Sequence, residues 1–210
     1  MRNTRGTIIG LVVGVVLLAV VVGFAVGLPK ADGESMPSLP DQLAAKVVAV
    51  SALTPQLAGA TSAQQVTAVH QFAAQAEQSD AKGSKRLTHL YGDAKVRTYV
   101  DMAHLDRVTQ GLPNEVAVSV VKTDPGLVFP SGPVAVDLDT THYAMKKIDG
   151  FQCAGTYADA QQATATSQAT GEQYGTSECR GEQNGYTVDV YASGTSLNEA
   201  AGYLKTILAA

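Results

Sequence analysis

Three residues that lie close together in the sequence have side chains of the types that bind metals or exchange protons: Asp101, His104 and Asp106. They follow a predicted strand, at a position where acidic and polar residues are common in solvated turns. A metal site needs ligands that converge in space, and nearness in sequence does not provide this. We therefore predict no metal here. The three residues remain the centre of one alternative function, a cell-envelope hydrolase with dispersed catalytic residues.

A second pair of carboxylates, Asp137 and Asp139, flanks Leu138 after a proline-rich stretch. Two carboxylates can act as acid and base when one of them is desolvated and its pKa rises. Their surroundings are predicted to be exposed, so no raised pKa is expected. The sequence also lacks HExxH, GxSxG, Walker and GxGxxG motifs. We expect no catalytic residue, no cofactor and no metal.

The chain contains two cysteines, Cys153 and Cys179. Their spacing matches neither a CxxC redox motif nor a zinc site, so we predict one disulfide in an oxidising compartment. A closed loop of about 25 residues should stabilise the fold by about 3 kcal/mol in the chain-entropy model.

That compartment is predicted from Thr7 to Leu28, an apolar run without a charged residue. A helix over this run reaches about 33 Å at 1.5 Å per residue, and the hydrocarbon core of a bilayer is about 30 Å thick. Arg2 and Arg5 precede the run, which predicts a cytoplasmic N-terminus and an extracytoplasmic C-terminal domain. The alternative is a cleaved signal peptide with a small-residue site at 25–27. Signal h-regions run about 7–15 residues, so we predict an uncleaved, single-pass signal anchor in the cell membrane.

Gly6, Gly10 and Gly14 recur every four residues at the start of this run. Small residues at that spacing let membrane helices approach closely, so these three are candidate helix–helix contacts. They suggest a protein partner or homodimer in the membrane, and a second alternative function as an accessory subunit of a membrane complex. Glycine is also common in membrane helices in general.

The predicted organisation follows from the anchor. It comprises a cytoplasmic tail at 1–6, a transmembrane helix at 7–28, a linker at 29–40 and one extracytoplasmic domain at 41–210. The net charge of −4 understates the acidity of that domain, because Arg2 and Arg5 precede the span and all nineteen carboxylates follow it. An acidic domain repels phosphate backbones. We therefore expect the lipid bilayer, through 7–28, as a partner and no nucleic acid.

The domain is predicted to be α+β, with an antiparallel sheet of about five strands and two helices on one face. A capping box at Thr61 and Gln64 predicts a helix over 61–82 that stops at Gly83. A second capping box at Ser196 and Glu199 predicts a C-terminal helix. Residues 41–53 suit either a helix or a strand.

Alternating residues predict two antiparallel strands, at 94–102 and 115–122, and a further extended segment at 143–153. The strongest local signal is Asn184-Gly185, which predicts a two-residue hairpin turn. That turn pairs Arg180 with Asp189, as an exposed cross-strand pair, and directs Cys179 to the core face. Residues 154–177 are rich in small polar side chains and predict an exposed excursion.

The layout resembles uncharacterised single-pass membrane proteins of high-GC Gram-positive bacteria. The residues that carry this resemblance are the apolar span, Leu39-Pro40-Asp41, the strand Val96-Arg97-Thr98-Tyr99, and Cys153 and Cys179 with Arg180. Proteins of this kind often show an aromatic residue after the second cysteine, where this chain has Arg180. The resemblance implies a disulfide-containing extracytoplasmic domain and brings no catalytic residues with it.

Together these features predict a membrane-anchored extracytoplasmic binding or interaction module without catalysis, whose ligand the sequence does not identify. The hydrolase and the accessory subunit are the two alternatives.

Overall fold

The structure, a computed structural model, describes residues 35–103, 115–123, 141–158 and 173–210. The chain divides into two compact units, Met1–Ser35 and Met36–Ala210, and all of the first unit except Ser35 lies outside the described ranges. The predicted span and its row of glycines are therefore among the residues that are not described. Within the described ranges, no helix is both long and apolar enough to cross a membrane.

The second unit alternates short strands with two helices. The elements are β1 (Gln42–Ala44), β2 (Val47–Ala49), a 3-10 helix (Val50–Ala52), α1 (Ala63–Tyr91), β3 (Ala94–Asp101), β4 (Glu115–Val121), β5 (Thr141–Ile148), β6 (Phe151–Ala158), β7 (Gln173–Gln183), β8 (Tyr186–Ser193) and α2 (Leu197–Leu208). Among the described residues, eight strands form one antiparallel sheet in the order β1-β2-β3-β4-β8-β7-β6-β5.

The predicted α+β class and antiparallel sheet are confirmed, but the predicted number of about five strands is wrong. Residues 41–53, which suited a helix or a strand, form the small β1–β2 hairpin and the 3-10 helix. Residues 154–158 and 173–177 were predicted to be part of an exposed excursion and instead extend β6 and β7. Small polar residues have weak strand propensity alone, and pairing with neighbouring strands overrides it.

Two tight turns set the register of the β5–β8 half of the sheet. Asn184 and Gly185 both have positive φ, 54° and 74°, as a type I′ hairpin requires. Asp149 and Gly150, at 51° and 93°, join β5 to β6 in the same way. The predicted pairing of Arg180 with Asp189 is confirmed.

The two helices pack on opposite faces of the sheet. Successive residues of a strand point to opposite faces, and β3 has a fully buried residue on each face, Tyr99 on one and Val100 on the other. Tyr99 belongs to the main core together with Leu204 of α2, whereas Val100 belongs to a second cluster with Phe72 of α1. The prediction of two helices on one face is therefore wrong. The alternation in the sequence of β3 indicates one buried face, whereas α1 covers one face of the strand and α2 the other.

Helix α1 is longer than predicted and begins with a different cap. Ser62 is the N-cap, and its side chain and that of Gln65 form the capping box. The helix does not stop at Gly83 but continues to Tyr91, and Gly92 follows with φ 88°. Gly83 has a packing role instead, since a Cβ there would lie 3.3 Å from Cγ2 of Val96.

Polar side chains of α1 take the place of a strand along one edge of β3. Of the residues of β3, short β2 pairs with only three, Asp101, Val100 and Tyr99. Further along that edge, the Thr98 amide donates to the Asp80 carboxylate at 2.9 Å, and the Val96 amide donates to Ser84 Oγ at 2.9 Å. Residues spaced by four lie on one side of a helix, so this spacing of Asp80 and Ser84 satisfies alternate amides of the strand.

Two of the segments that carried the family resemblance contact each other. Arg97 binds the Leu39 carbonyl and the Asp41 carboxylate, and its guanidinium lies 5.8 Å from the ring centroid of Tyr99. The Tyr99 hydroxyl donates to the Pro40 carbonyl at 2.9 Å. These contacts fasten the segment before β1 to the central part of the sheet.

Helix α2 closes the main core. Ser196 caps it and forms a capping box with Glu199, as predicted. Its buried residues lie on one side of the helix and pack against β6, β7 and β8. They are Leu197, Ala200, Ala201, Leu204 and Ile207.

Candidate functional site

Most of the candidate catalytic residues lie outside the described part of the chain. Asp101 ends β3, and its carboxylate accepts a hydrogen bond from the Ala103 amide at 2.8 Å. His104, Asp106, Asp137 and Asp139 fall in ranges that are not described. In the parts of the chain that are described, no three His, Cys, Asp or Glu residues are grouped so that they could hold a metal. The hydrolase alternative stays a prediction.

The predicted disulfide between Cys153 and Cys179 is present. The two cysteines are direct cross-strand partners on β6 and β7, with Cα atoms 4.1 Å apart, and both are fully buried in the main core. The bond joins the strand that carries Arg180 to its neighbour beneath α2. It therefore supports the sheet directly below a polar part of the opposite face.

That polar part is a cluster of three charged residues, which we name the Arg180 cluster: Arg180, Glu178 and Asp189. Arg180 Nε lies 3.0 Å from Asp189 Oδ1, and Arg180 Nη2 lies 2.7 Å from Glu178 Oε1. Glu178 and Arg180 are two residues apart on β7, so both side chains leave the same face of the strand, and Asp189 stands opposite Arg180 on β8. One guanidinium is thus held between two carboxylates.

The cluster is buried deeply enough to change its acid–base behaviour. Only 5% of the Glu178 side chain is exposed. Burial, together with the charge of Asp189 and a hydrogen bond to it, raises the pKa of Glu178 to about 7, although the Arg180 charge acts in the opposite direction. Burial alone would lower the pKa of Arg180, but the two carboxylates outweigh it and the pKa is raised. Burial and the Glu178 charge also raise the pKa of Tyr143 on β5.

A cleft of about 350 Å³ adjoins Arg180, a volume within the usual range of small-molecule sites. Its polar side chains come from the β5–β6 turn, from β6 and from β7. The lining residues are Asp149, Gly150, Phe151, Gln152, Arg180, Gly181 and Glu182. Carboxylates, a carboxamide and a guanidinium supply both donors and acceptors, so the cleft suits a small polar ligand.

Glu178 contacts Arg180 but does not itself line the cleft. A general acid or base must come within hydrogen-bond reach of the group that it serves. Glu178 has the pKa of such a group but is not among the residues that line the cleft. Its place in the structure is to hold Arg180, which does line the cleft. Glu178 is therefore a positioning residue for the guanidinium.

A second charged surface lies on the outer side of α1. Lys82, Lys85, Arg86 and His89 lie within eight positions of the helix and, with Leu90, line a shallow groove. We name this surface the cationic face. It lies on the side of α1 away from Asp80 and Ser84, which contact β3.

The sequence predictions missed much of both surfaces. Arg180 and Asp189 were predicted to be an exposed pair, but their side chains are 28% and 21% exposed. The charge alternation of Glu178, Arg180 and opposite Asp189 is the signal that could have identified the cluster. The cationic face was missed because the helix was ended at Gly83.

Searches for similar proteins bring no function from outside the chain. A scan against protein-family models found no match, and neither did searches of curated proteins and of solved structures.

Proposed function

We propose that this chain is a membrane-anchored extracytoplasmic binding module, and that it binds a small polar ligand in the cleft beside Arg180. The single observation that carries the proposal is the half-buried guanidinium of Arg180, fixed between Glu178 and Asp189 at the wall of the cleft. An arginine that is already held in place loses less conformational entropy when a ligand binds than a freely moving surface arginine does.

The location of the module rests on two observations of different kinds. The buried Cys153–Cys179 disulfide supports an oxidising compartment, because structural disulfides persist there and are rare in the cytosol. The uncharged run Thr7–Leu28 supports an anchor of bilayer length. The positive flank formed by Arg2 and Arg5 supports the orientation.

Site-specific photo-crosslinking in intact cells tests the proposal with the full chain. A photo-reactive amino acid replaces Gln152 or Glu182, two exposed residues at the cleft, or Glu77, an exposed residue of α1 that serves as the matched control. We expect ligand adducts at positions 152 and 182 but not at 77, and we expect the protein in the membrane fraction. Mass spectrometry of the peptides locates each adduct.

The result that contradicts the proposal has two parts. No adduct forms at either cleft position, and loss of function maps to a catalytic side chain such as Asp101. That outcome would favour the hydrolase.

A further inference from the structure

We propose that the cationic face of α1 docks on an anionic lipid surface and so orients the domain on the membrane. The inference rests on the proposed function for the presence of a membrane nearby. Its own evidence is the charge, exposure and spacing of Lys82, Lys85, Arg86, His89 and Leu90.

The charges of this face are concentrated and unopposed. Lys82, Lys85 and Arg86 supply three of the fifteen Lys and Arg residues of the chain within five positions, in a chain whose net charge is −4. Within the described ranges, none of the three forms an ion pair. An acidic protein with one basic stripe is attracted to an anionic surface only when that stripe faces it.

The demands of the helix itself do not explain these cations. Positive charge stabilises a helix through its dipole only in the last turn, and only His89 lies there. Lys82 stands three residues from Lys85 and four from Arg86, and like charges at these spacings destabilise a helix. The structure therefore retains a local repulsion that a polyanionic partner would relieve.

The apolar part of the face favours lipid over an acidic protein. The groove is lined almost entirely by the carbon stems of the basic side chains and by Leu90, which is 69% exposed. Tyr91 beside it is 47% exposed. Basic residues whose stems lie along an apolar surface, with leucine and an aromatic ring at the margin, are typical of helices that lie at a membrane interface.

Tryptophan fluorescence of the full chain in vesicles tests the docking. The chain contains no tryptophan, so L90W introduces a single reporter. We expect brominated lipid to quench this reporter in vesicles with about 30% anionic lipid, and 0.5 M salt to reverse the quenching, as salt screens exposed charges. In neutral vesicles we expect little quenching.

Charge variants decide whether the face itself is responsible. Adding K82Q, K85Q and R86Q to L90W should weaken the docked state on the order of 100-fold, because each basic residue near an anionic surface contributes about fivefold. The matched control adds K46Q, K95Q and K147Q, three exposed lysines outside α1, and changes the net charge equally. We expect quenching to persist in the control.

Three results would overturn the assignment. The first is equal quenching in neutral and anionic vesicles, and the second is an equal loss in both triple variants. The third is a reporter that responds to soluble polyglutamate but not to anionic vesicles, which would assign the face to an acidic polypeptide. The anchor is tested separately by sedimentation with neutral vesicles, so its failure is distinguishable from failure of the docking.

Discussion

Replacing Asp80 by alanine tests whether side chains of α1 substitute for a strand along β3. The Asp80 carboxylate accepts two hydrogen bonds from one residue: Oδ2 from the Thr98 amide at 2.9 Å and Oδ1 from the Thr98 hydroxyl at 2.6 Å. D80A removes both bonds and leaves the partly buried Thr98 amide, beyond the end of the β2–β3 pairing, without its acceptor.

The expected cost follows from these two bonds. A hydrogen bond to a charged group contributes about 1.5–3 kcal/mol when buried, and both bonds here are only partly buried. We therefore expect D80A to lower the free energy of unfolding by about 3 kcal/mol. For a domain of this size, 1 kcal/mol corresponds to about 2–4 °C in Tm, so the fall in Tm should be about 6–12 °C.

Urea denaturation and amide hydrogen exchange measure the effect. D80N keeps one acceptor oxygen and should lose about half as much stability as D80A. The matched control is E77A, an exposed carboxylate on the same helix, which should change stability by no more than about 0.5 kcal/mol. Exchange of the Thr98 amide should accelerate in D80A and remain slow in E77A.

The reasoning is refuted if D80A and E77A cost the same. Packing of the apolar side of α1 would then account for the attachment of the helix, and the polar contacts would be incidental.

Three further predictions concern the Arg180 cluster, the disulfide and two glycines. The pKa of Glu178 in the folded protein is raised from 4.5 to about 7, so the wild type loses stability as pH rises through this window. The free energy of unfolding of E178Q, measured by urea denaturation, should therefore exceed that of the wild type by up to about 3 kcal/mol at pH 8 and by little at pH 4. Reduction of the Cys153–Cys179 disulfide should lower the free energy of unfolding by about 3 kcal/mol, measured with and without reductant. G181A places a Cβ 2.9 Å from a methyl carbon of Leu208 and should lower the free energy of unfolding by about 1 kcal/mol. In G202A the new Cβ, on α2, meets nothing within 4 Å. This variant should stabilise the helix by about 0.5–1 kcal/mol and so raise Tm.

The features that sequence predicted correctly depend on residues within a few positions of one another. The Asn184-Gly185 turn needs two residues that tolerate positive φ, and its length alone sets the pairing of Arg180 with Asp189. The Ser196 cap needs a hydroxyl and, three residues later, a carboxylate. In both cases the chemistry and the structure that it produces are local.

Only the tertiary structure decided the features that depend on remote partners. Gly83 was interpreted as a helix stop because glycine often is one, whereas its place in α1 is set by Val96 on another element. Glu178 is an ordinary exposed carboxylate by local pattern, and its raised pKa comes from burial and from Asp189 on the next strand.

The disulfide has one property that the sequence predicts and another that only the tertiary structure decides. Composition and an apolar N-terminal run were enough to predict that Cys153 and Cys179 pair, since the chain has no other cysteine. That the bond lies in the core between two strands, directly beneath the sheet face that carries Arg180, required the register of the whole sheet. A strand's alternation identifies two faces but not what covers each of them, because burial is decided by elements far away in the sequence.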